Sequence, residues 1–290
     1  MTAEEDALFG LPYVPPDATV SYGPHSSQVV DLHLPAGPAA GVRVTLLHGG
    51  FWREAYDRRH LAPLAAALAA QGVEVALAEY RRVGPGGGGG WPQTYEDVVR
   101  AAAIRNRPDR PDRPSRPSRP SRPNRRDAQD RPDRRDQQDQ QNQQNQQDRH
   151  VLVGHSAGGH LALCAASEAV VADAVVAIAP VADLVRAREL GLSRGAVEEF
   201  LGGARPADAD PVLRPPARVP VTVLHGTDDP DVPLELSRSY VTSATAAGAD
   251  VTLHTLPGTG HYAAVTPGTA AYGALLTALL SPSRREARPS

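Results

Sequence analysis

The sequence contains a single cysteine, Cys164, and no apolar run that approaches the ~20 residues of a membrane span. One cysteine excludes a framework of disulfides. The helical pattern around Cys164 predicts a buried thiol that serves as a small apolar side chain. The acidic stretch at 1–10 lacks the basic and apolar regions of a signal peptide. We therefore expect a soluble, cytoplasmic protein that does not act at a membrane.

Sequence motifs for cofactors are also missing. There is no cluster of metal-ligating residues with the usual spacing, and no phosphate-binding loop or dinucleotide fingerprint. The glycine-rich stretch at 84–90 lacks the strand-turn-helix setting that such motifs need, and it predicts a flexible loop. We expect neither a metal ion nor a cofactor.

The stretch at 105–149 has no aromatic residue and no aliphatic residue larger than alanine. Its 45 residues include 13 Arg, 8 Asp, 9 Gln and 7 Pro, with Arg-Pro-Ser repeating at a period of three. This composition buries too little surface to offset the entropy of ordering the chain, so we predict a disordered, low-complexity insertion. Interspersed Asp and the lack of stacking aromatics argue against a nucleic-acid partner. We expect the ends of the insertion to lie close together, and the insertion to be dispensable for chemistry.

Outside the insertion, short apolar strands alternate with helical stretches. The predicted strands include 28–34, 42–47, 73–78, 151–153, 174–179, 221–224 and 251–256, and the predicted helices include 94–104, 159–168, 183–201, 234–247 and 270–280. This alternation indicates an α/β fold with a mostly parallel, doubly wound sheet covered by helices on both faces. We predict one domain over 1–280, with a small helical cap over 180–215 and a flexible tail over 281–290.

The pentapeptide Gly154-His155-Ser156-Ala157-Gly158 lies between the apolar run 151–153 and the helical stretch 159–168. A strand that turns sharply into a helix at a serine holds the hydroxyl clear of the backbone, and small residues at 154 and 158 allow the close approach. The helix N-terminus adds free N–H groups that favour developing negative charge. Ser156 could instead be a helix N-cap, but a cap needs no flanking glycines, so we predict a nucleophile.

A serine nucleophile needs a base that takes its proton and a carboxylate that orients the base. Two downstream loops, 225–233 and 258–262, each follow a predicted strand. Because parallel strands end at the same edge of a sheet, we expect both loops to lie beside the serine turn. His261 is the candidate base. Three aspartates in the first loop are candidates for the acid, namely Asp228, Asp229 and Asp231.

Four motifs together resemble the α/β-hydrolase superfamily. They are His-Gly-Gly-x-Trp at 48–52, Gly-His-Ser-Ala-Gly at 154–158, His-Gly-x-x-Asp-x-x-Val-Pro at 225–233 and Gly-x-Gly-His at 258–261. The chain looks most like the esterase/arylformamidase branch, which includes kynurenine formamidases. The resemblance covers about residues 28–280 apart from the insertion.

By position, the resemblance implies that Ser156 is the nucleophile, Asp229 the acid and His261 the base. It also implies an oxyanion hole made by the backbone N–H groups of Ala157 and of the Gly50/Phe51 loop. Such donors contribute ~3–4 kcal/mol each at the transition state. Three aromatic residues are candidates to line a substrate pocket, although each could belong to the core instead: Trp52, Tyr56 and Trp91.

The remaining histidines of these motifs have structural interpretations. His48, His155 and His225 each adjoin a motif glycine, and we expect them to hold loops by hydrogen bonds. His254 falls within a predicted strand, so we expect its side chain to pack against neighbours.

The sequence therefore predicts a metal-independent serine hydrolase that cleaves a small ester or amide through an acyl-enzyme, with N-formyl arylamines among the candidate substrates. One alternative is a catalytically silent scaffold that recruits partners through the insertion, but the complete Ser, Asp and His set argues against it. Another is an exopeptidase of the prolyl-oligopeptidase kind, and the lack of a preceding propeller sequence argues against that. The sequence makes no prediction of oligomeric state.

Overall fold

The strands coincide with short runs rich in valine and leucine, which suit a sheet buried on both faces. In the computed structural model, which describes residues 2–104, 149–168 and 172–281, eight strands form one sheet. They are β1 (Ala18–Ser21), β2 (Val29–His33), β3 (Val42–Leu47), β4 (Glu74–Ala78), β5 (Arg149–His155), β6 (Ala174–Ile178), β7 (Val221–Gly226) and β8 (Val251–Leu256).

The helices fall between the strands, as the alternating pattern predicts. They are α1 (Ala3–Phe9), α2 (Ala62–Ala70), α3 (Gln93–Ala102), α4 (Ala157–Glu168), α5 (Leu184–Glu189), α6 (Ala196–Leu201), α7 (Pro206–Ala209), α8 (Leu234–Ala246) and α9 (Ala270–Leu280). Two 3-10 helices, Arg58–Leu61 and Ala263–Val265, complete the set in the described part of the chain. The helix α1 was not predicted.

The sheet order β1-β2-β4-β3-β5-β6-β7-β8 is that of a mostly parallel sheet. Only β2 runs against its neighbours β1 and β4, and every other pairing is parallel. The carboxyl ends of β3 to β8 therefore meet at one edge of the sheet. This confirms the predicted fold class and fixes the edge at which the loops after β3, β5, β7 and β8 converge.

Two apolar clusters, one on each face of the sheet, form the core. One packs α3, α4 and α8 against the sheet and includes Cys164, which is fully buried as expected. The other packs α2 and α9 and also takes in Leu8 from α1. Because both faces are covered, the inner strands β3 to β7 are buried along most of their length.

Several predicted boundaries shift by one or two residues, and two differences change how the chain is divided. Arg149, expected inside the insertion, is the first residue of β5 and pairs with Val42 of β3. The stretch 183–201, expected as one helix, is two short helices, because Ser193, Arg194 and the glycines beside them have left-handed backbone angles that a helix does not accommodate.

The edge strand β8 holds a further correction. His254, expected to pack, is exposed, because β8 has a neighbour on one side only and part of its surface faces solvent.

The residues that flank 105–148 lie near one another. Arg43 Nη1 donates a hydrogen bond of 2.9 Å to the carbonyl of Ile104, and the neighbouring Val42 pairs with Arg149. Both flanks therefore lie at the amino ends of β3 and β5, at the opposite end of β5 from Ser156. The predicted insertion itself, apart from Arg149, and the predicted tail beyond Ser281 lie outside the described residues. None of the helices in the described ranges is both long and apolar enough to cross a bilayer.

Candidate active site

The turn between β5 and α4 holds Ser156 in a left-handed conformation, with φ of 56°. Its backbone N–H donates to the carbonyl of Ile178 at 2.8 Å, which fixes the turn against β6. The flanking positions have to be glycine, because any side chain there would collide with neighbouring backbone atoms. A Cβ at Gly154 would lie 2.1 Å from the carbonyl oxygen of Gly158, and one at Gly158 would lie 2.4 Å from that of Leu47. The strand, the turn and the helix could not approach this closely with larger residues.

The loops after β7 and β8 lie side by side because these strands are neighbours in the sheet. The Asp228 N–H donates to the Thr259 carbonyl at 3.0 Å. A Cβ at Gly226 would lie 2.1 Å from the same carbonyl, so glycine is needed for the loops to meet. The loop that carries the candidate acids is thereby joined to the loop that carries His261.

Of the three candidate acids, Asp229 is the one hydrogen-bonded to His261, with 2.7 Å between Oδ2 and Nδ1. Its other oxygen accepts the backbone N–H groups of Asp231 and Val232, each at 2.9 Å. Burial raises the pKa of Asp229, but hydrogen bonds from His225 and His261 outweigh it and hold that pKa below its usual range. The carboxylate is therefore ionised at neutral pH.

The other two candidates have different surroundings. Asp228 is exposed, and its carboxylate accepts a hydrogen bond of 2.8 Å from the neighbouring Thr227 hydroxyl. Asp231 lies on the wall of the cavity described next and is hydrogen-bonded to the hydroxyl of Tyr262.

Ser156 and His261 line one cavity of about 410 Å³. Both are almost completely buried, with 2% and 4% of their surface exposed. Among the described residues, no hydrogen bond joins Ser156 Oγ to the His261 ring. His155 Nε2 donates to the carbonyl of His261 at 3.0 Å and so ties the base-bearing loop to the residue before the serine. The nucleophile and base candidates thus face one space from two adjoining loops.

The loop after β3 passes directly beside the serine. A Cβ at Gly49 would lie 3.0 Å from the Ser156 Cβ. Gly50 and Phe51 line the cavity and have positive φ angles of 104° and 48°. Among the described residues, the backbone N–H groups of Gly50, Phe51 and Ala157 have no hydrogen-bond acceptor. Gly50 and Phe51 line the cavity and Ala157 directly follows Ser156, and unpaired backbone donors in such positions can serve a ligand oxygen.

Of the three aromatic residues predicted as candidates for the substrate pocket, only one lies at the cavity. Tyr56 lines the cavity and is 47% exposed. Trp52 is completely buried and stacks on Phe200, with 4.4 Å between ring centroids. Trp91 stacks on Tyr95 at 4.9 Å. Neither tryptophan lines the cavity around Ser156, because each is taken up by packing against another ring.

A second buried histidine–carboxylate pair supports the loop after β3. His48 Nε2 lies 2.9 Å from Oε1 of Glu79, and His48 Nδ1 donates to the Gly49 carbonyl at 2.8 Å. Glu79 also accepts the Arg58 backbone N–H at 3.1 Å and lies 3.2 Å from Arg82 Nε. Burial raises the pKa of Glu79, but His48, Arg82 and the Arg58 N–H together lower it to about 2.

The expectation that His48, His155 and His225 hold loops is confirmed. The ring of His225 bonds the Ser237 hydroxyl at 2.7 Å and the Val232 carbonyl at 2.8 Å. Glu79 was not singled out from the sequence, although a glutamate at the end of a buried strand is a signal that could have found it.

The sequence interpretation also missed Glu4. Its carboxylate accepts three backbone N–H groups on both sides of His261, those of Gly260, Tyr262 and Ala263. No local sequence pattern predicts this contact, because Glu4 and Gly260 are 256 positions apart in the sequence.

A larger cavity of about 640 Å³ lies near the amino ends of β5 and β6 and contains none of the predicted site residues. It offers no serine, histidine and carboxylate in contact, so the smaller cavity is the candidate active site. No group of three or more His, Cys, Asp or Glu is placed to hold a metal ion in the described ranges.

The sequence profile of the prolyl oligopeptidase family matches residues 123–276. Esterase 2 of Thermogutta terrifontis, phosphonylated by sarin, is similar in structure with a TM-score of 0.64 and 20% identity over 92% of this chain and 94% of that one. Esterase B from Lactobacillus rhamnosis is similar with a TM-score of 0.67 and 16% identity, over 98% of this chain and 93% of the esterase. A truncated carbohydrate esterase from gut microbiota is similar with a TM-score of 0.63 and 17% identity, over 92% of this chain and 95% of the esterase. No curated protein sequence matches significantly.

Proposed function

Because the chain belongs to the prolyl oligopeptidase family of α/β-hydrolases, we propose that it is a serine hydrolase that cleaves a small carboxylic ester. Ser156 is the nucleophile, His261 the general base and Asp229 the acid that orients it. The observation that carries the proposal is the 2.7 Å bond between Asp229 and His261 at the cavity where Ser156 stands in its left-handed turn.

The arrangement supports acylation in two steps. His261 Nδ1 donates to Asp229, so Nε2 is the basic nitrogen of the neutral ring and takes the Ser156 proton as Oγ attacks the ester carbonyl. The tetrahedral intermediate then collapses to an acyl-serine, and the alcohol leaves with the proton from Nε2. Water repeats the sequence on the acyl-serine and releases the acid.

The unpaired backbone N–H groups of Ala157 and of Gly50 or Phe51 are proposed to bind the oxyanion. They are fixed before substrate arrives, since the glycine contacts and the left-handed turn determine the backbone path. Each fixed donor contributes roughly 3–4 kcal/mol of transition-state stabilisation.

The cavity limits the substrate. A volume of about 410 Å³ falls in the lower part of the range for small-molecule sites, ~300–1,000 Å³. The solved esterases of similar fold support an ester over an amide. N-formyl arylamines stay a candidate class because of the sequence resemblance to arylformamidases.

The family match favours one second candidate, a peptidase that acts on short peptides. A catalytically silent scaffold is the remaining alternative, and the contact between Asp229 and His261 argues against it because a scaffold has no need of that contact. Action in the cytoplasm stays a prediction.

Fluorophosphonate labelling tests the reaction class. The wild-type protein should be labelled and Ser156→Ala should not, and kcat should fall ~10⁶-fold in that variant with unchanged thermal unfolding. Persistent labelling of Ser156→Ala would place the nucleophile elsewhere. A panel of short p-nitrophenyl esters, N-formyl arylamines and aminoacyl p-nitroanilides then ranks the substrate classes. Ester turnover below that of the peptide analogues would replace the esterase proposal with the peptidase one.

A further inference from the structure

The short helix α1 lies against the loop that carries His261. Its start is fixed by a reciprocal pair in which the Thr2 hydroxyl accepts the Glu5 N–H and the Glu5 carboxylate accepts the Thr2 N–H, each at 3.2 Å. Its other end is anchored by Leu8, which is 1% exposed, and by Phe9, whose ring lies 5.9 Å from that of Tyr262. The helix is thus held at both ends, with Glu4 between them.

Glu4 bonds the backbone on both sides of His261. Oε1 accepts the Gly260 N–H at 2.8 Å, and Oε2 accepts those of Tyr262 and Ala263, each at 3.1 Å. The last two belong to the N-terminal end of the 3-10 helix Ala263–Val265, where N–H groups have no partner within the helix. A carboxylate is the acceptor that suits such a cluster of donors best.

Gly260 is matched to this carboxylate. A Cβ at this position would lie 2.7 Å from Glu4 Oε2, so any side chain there would push the carboxylate away from its donors. The opposite side of the loop is held by His155, which bonds the His261 carbonyl. The backbone of His261 is therefore fixed from both directions, while its ring contacts Asp229.

We propose that Glu4 is a positioning residue that holds the backbone of His261 so that its ring lies between Asp229 and Ser156. The inference rests on the proposed hydrolase function. Glu4 does not touch the substrate, and it acts through the three N–H groups around the base. Helix α1 also closes one side of the cavity, which Glu5 and Phe9 line.

The first test compares Glu4→Gln with Asp6→Asn on the wild-type chain and the best ester of the panel. Glu4→Gln keeps the shape but replaces one acceptor oxygen by an NH₂ group that faces N–H donors. We expect kcat to fall ~10²-fold, as small displacements of catalytic groups do, while KM and thermal unfolding change little. Asp6 is exposed on the same helix, and no described residue is hydrogen-bonded to its carboxylate, so Asp6→Asn should be neutral. Equal effects of the two variants, or a KM change without a kcat change, would overturn the proposal.

A double-mutant cycle checks that Glu4 and Gly260 act through one contact. Gly260→Ala should lower kcat in the wild-type chain because its Cβ displaces the Glu4 carboxylate. In the Glu4→Ala background that clash is gone, and the same change should cost much less. Additive effects would overturn the proposal.

Hydrogen exchange gives a readout that needs no substrate. The amides of Gly260, Tyr262 and Ala263 should be protected in the wild-type protein and in Asp6→Asn, and exposed in Glu4→Gln. If the wild-type protein neither turns over esters nor reacts with fluorophosphonate, the proposed function fails while the exchange result still decides on Glu4. Unchanged exchange in Glu4→Gln overturns the positioning role whatever the reaction.

Discussion

Two buried histidine–carboxylate pairs support neighbouring loops of this protein, and only one of them faces the cavity. His261 and Asp229 are 2.7 Å apart, and His48 and Glu79 are 2.9 Å apart. The side chains of all four residues are buried, and only the backbone of Asp229 is partly exposed to solvent. The chemistry of the two contacts is the same, so it does not by itself distinguish a catalytic pair from a structural one.

The difference lies in the second ring nitrogen. Both nitrogens of His48 face acceptors, because Nδ1 bonds the Gly49 carbonyl and Nε2 bonds Glu79. Among the described residues, His261 Nε2 has no hydrogen-bond partner, and the residue lines the cavity. A base needs a free lone pair that a proton can reach. The His261 pair has a ring nitrogen that is open to the cavity, whereas both ring nitrogens of His48 are hydrogen-bonded to protein groups.

The carboxylates differ as well. Glu79 faces two guanidinium groups, with Arg82 at 3.2 Å and Arg58 at 3.6 Å, so its charge is balanced by permanent cations. The Asp229 carboxylate contacts two histidine rings and accepts two backbone N–H groups, and none of these four contacts is to an arginine or lysine. Its negative charge therefore remains available to stabilise a cationic ring on His261 when that ring accepts a proton.

Among the changes to the two pairs, breaking the proposed catalytic pair is expected to have the largest effect. Asp229→Asn should lower kcat ~10⁴-fold, because an amide can donate to Nδ1 and so hold the ring in the wrong tautomer. Steady-state kinetics with the best ester, together with circular dichroism to confirm folding, make the measurement. A loss below tenfold would mean that Asp229 does not orient the base.

The next largest effect is expected from breaking the pair of His48 and Glu79. Glu79→Gln should lower the free energy of unfolding by ~3–5 kcal/mol, because Arg82 then faces a neutral amide in the interior and Arg58 keeps only Asp31 as its counter-charge. Urea denaturation measures the change. Glu96→Gln is the matched control, since Glu96 is half exposed and its ion pairs with Arg81 and Arg100 contribute only about 0–1 kcal/mol. Equal destabilisation by the two variants would show that burial of Glu79 adds nothing.

The pH dependence of stability sharpens the same contrast. Folding lowers the pKa of Glu79 from its ordinary value of 4.5 to about 2, so its ionised form stabilises the folded state above pH 4.5. That contribution, ~3 kcal/mol, is lost as the pH falls through 4.5 towards 2. The unfolding free energy of Glu79→Gln should therefore depend less steeply on pH in this range than that of the wild-type protein. Parallel curves would count against an ionised Glu79.

The smallest expected effect is that of changing Asp228, the neighbour of the proposed acid. Asp228→Asn should change kcat and KM by no more than a few-fold, because the exposed Asp228 carboxylate bonds a threonine hydroxyl and not a histidine. The kinetic assay used for Asp229→Asn also serves here. A greater loss in Asp228→Asn than in Asp229→Asn would transfer the role of acid to Asp228.

The sequence was sufficient to predict the strands, the sheet type and the convergence of the loops around Ser156. Local chemistry explains this success. A sharp turn needs small residues at 154 and 158, and buried parallel strands need apolar runs such as 151–153.

Contacts between distant residues could not be predicted in the same way. Glu79 balances charges that arrive from other loops, and Glu4 bonds a segment at the far end of the chain. Trp52 belongs to a motif whose neighbouring residues line the candidate site, yet its own ring stacks on Phe200 outside the cavity. His254 has a strand-like pattern, and only the sheet order reveals that its strand is an edge.

The bond between Glu4 and Gly260 spans 256 positions of the sequence, which has a consequence for synthesis on the ribosome. At ~5–20 residues per second, a nascent chain carries Glu4 for roughly 10–50 s before its partner is translated. Until then the Glu4 carboxylate lacks its three N–H donors, although Phe9 of the same helix can already stack on His60. The contact between α1 and the loop around His261 therefore forms only after β8 and the loop that follows it have been translated.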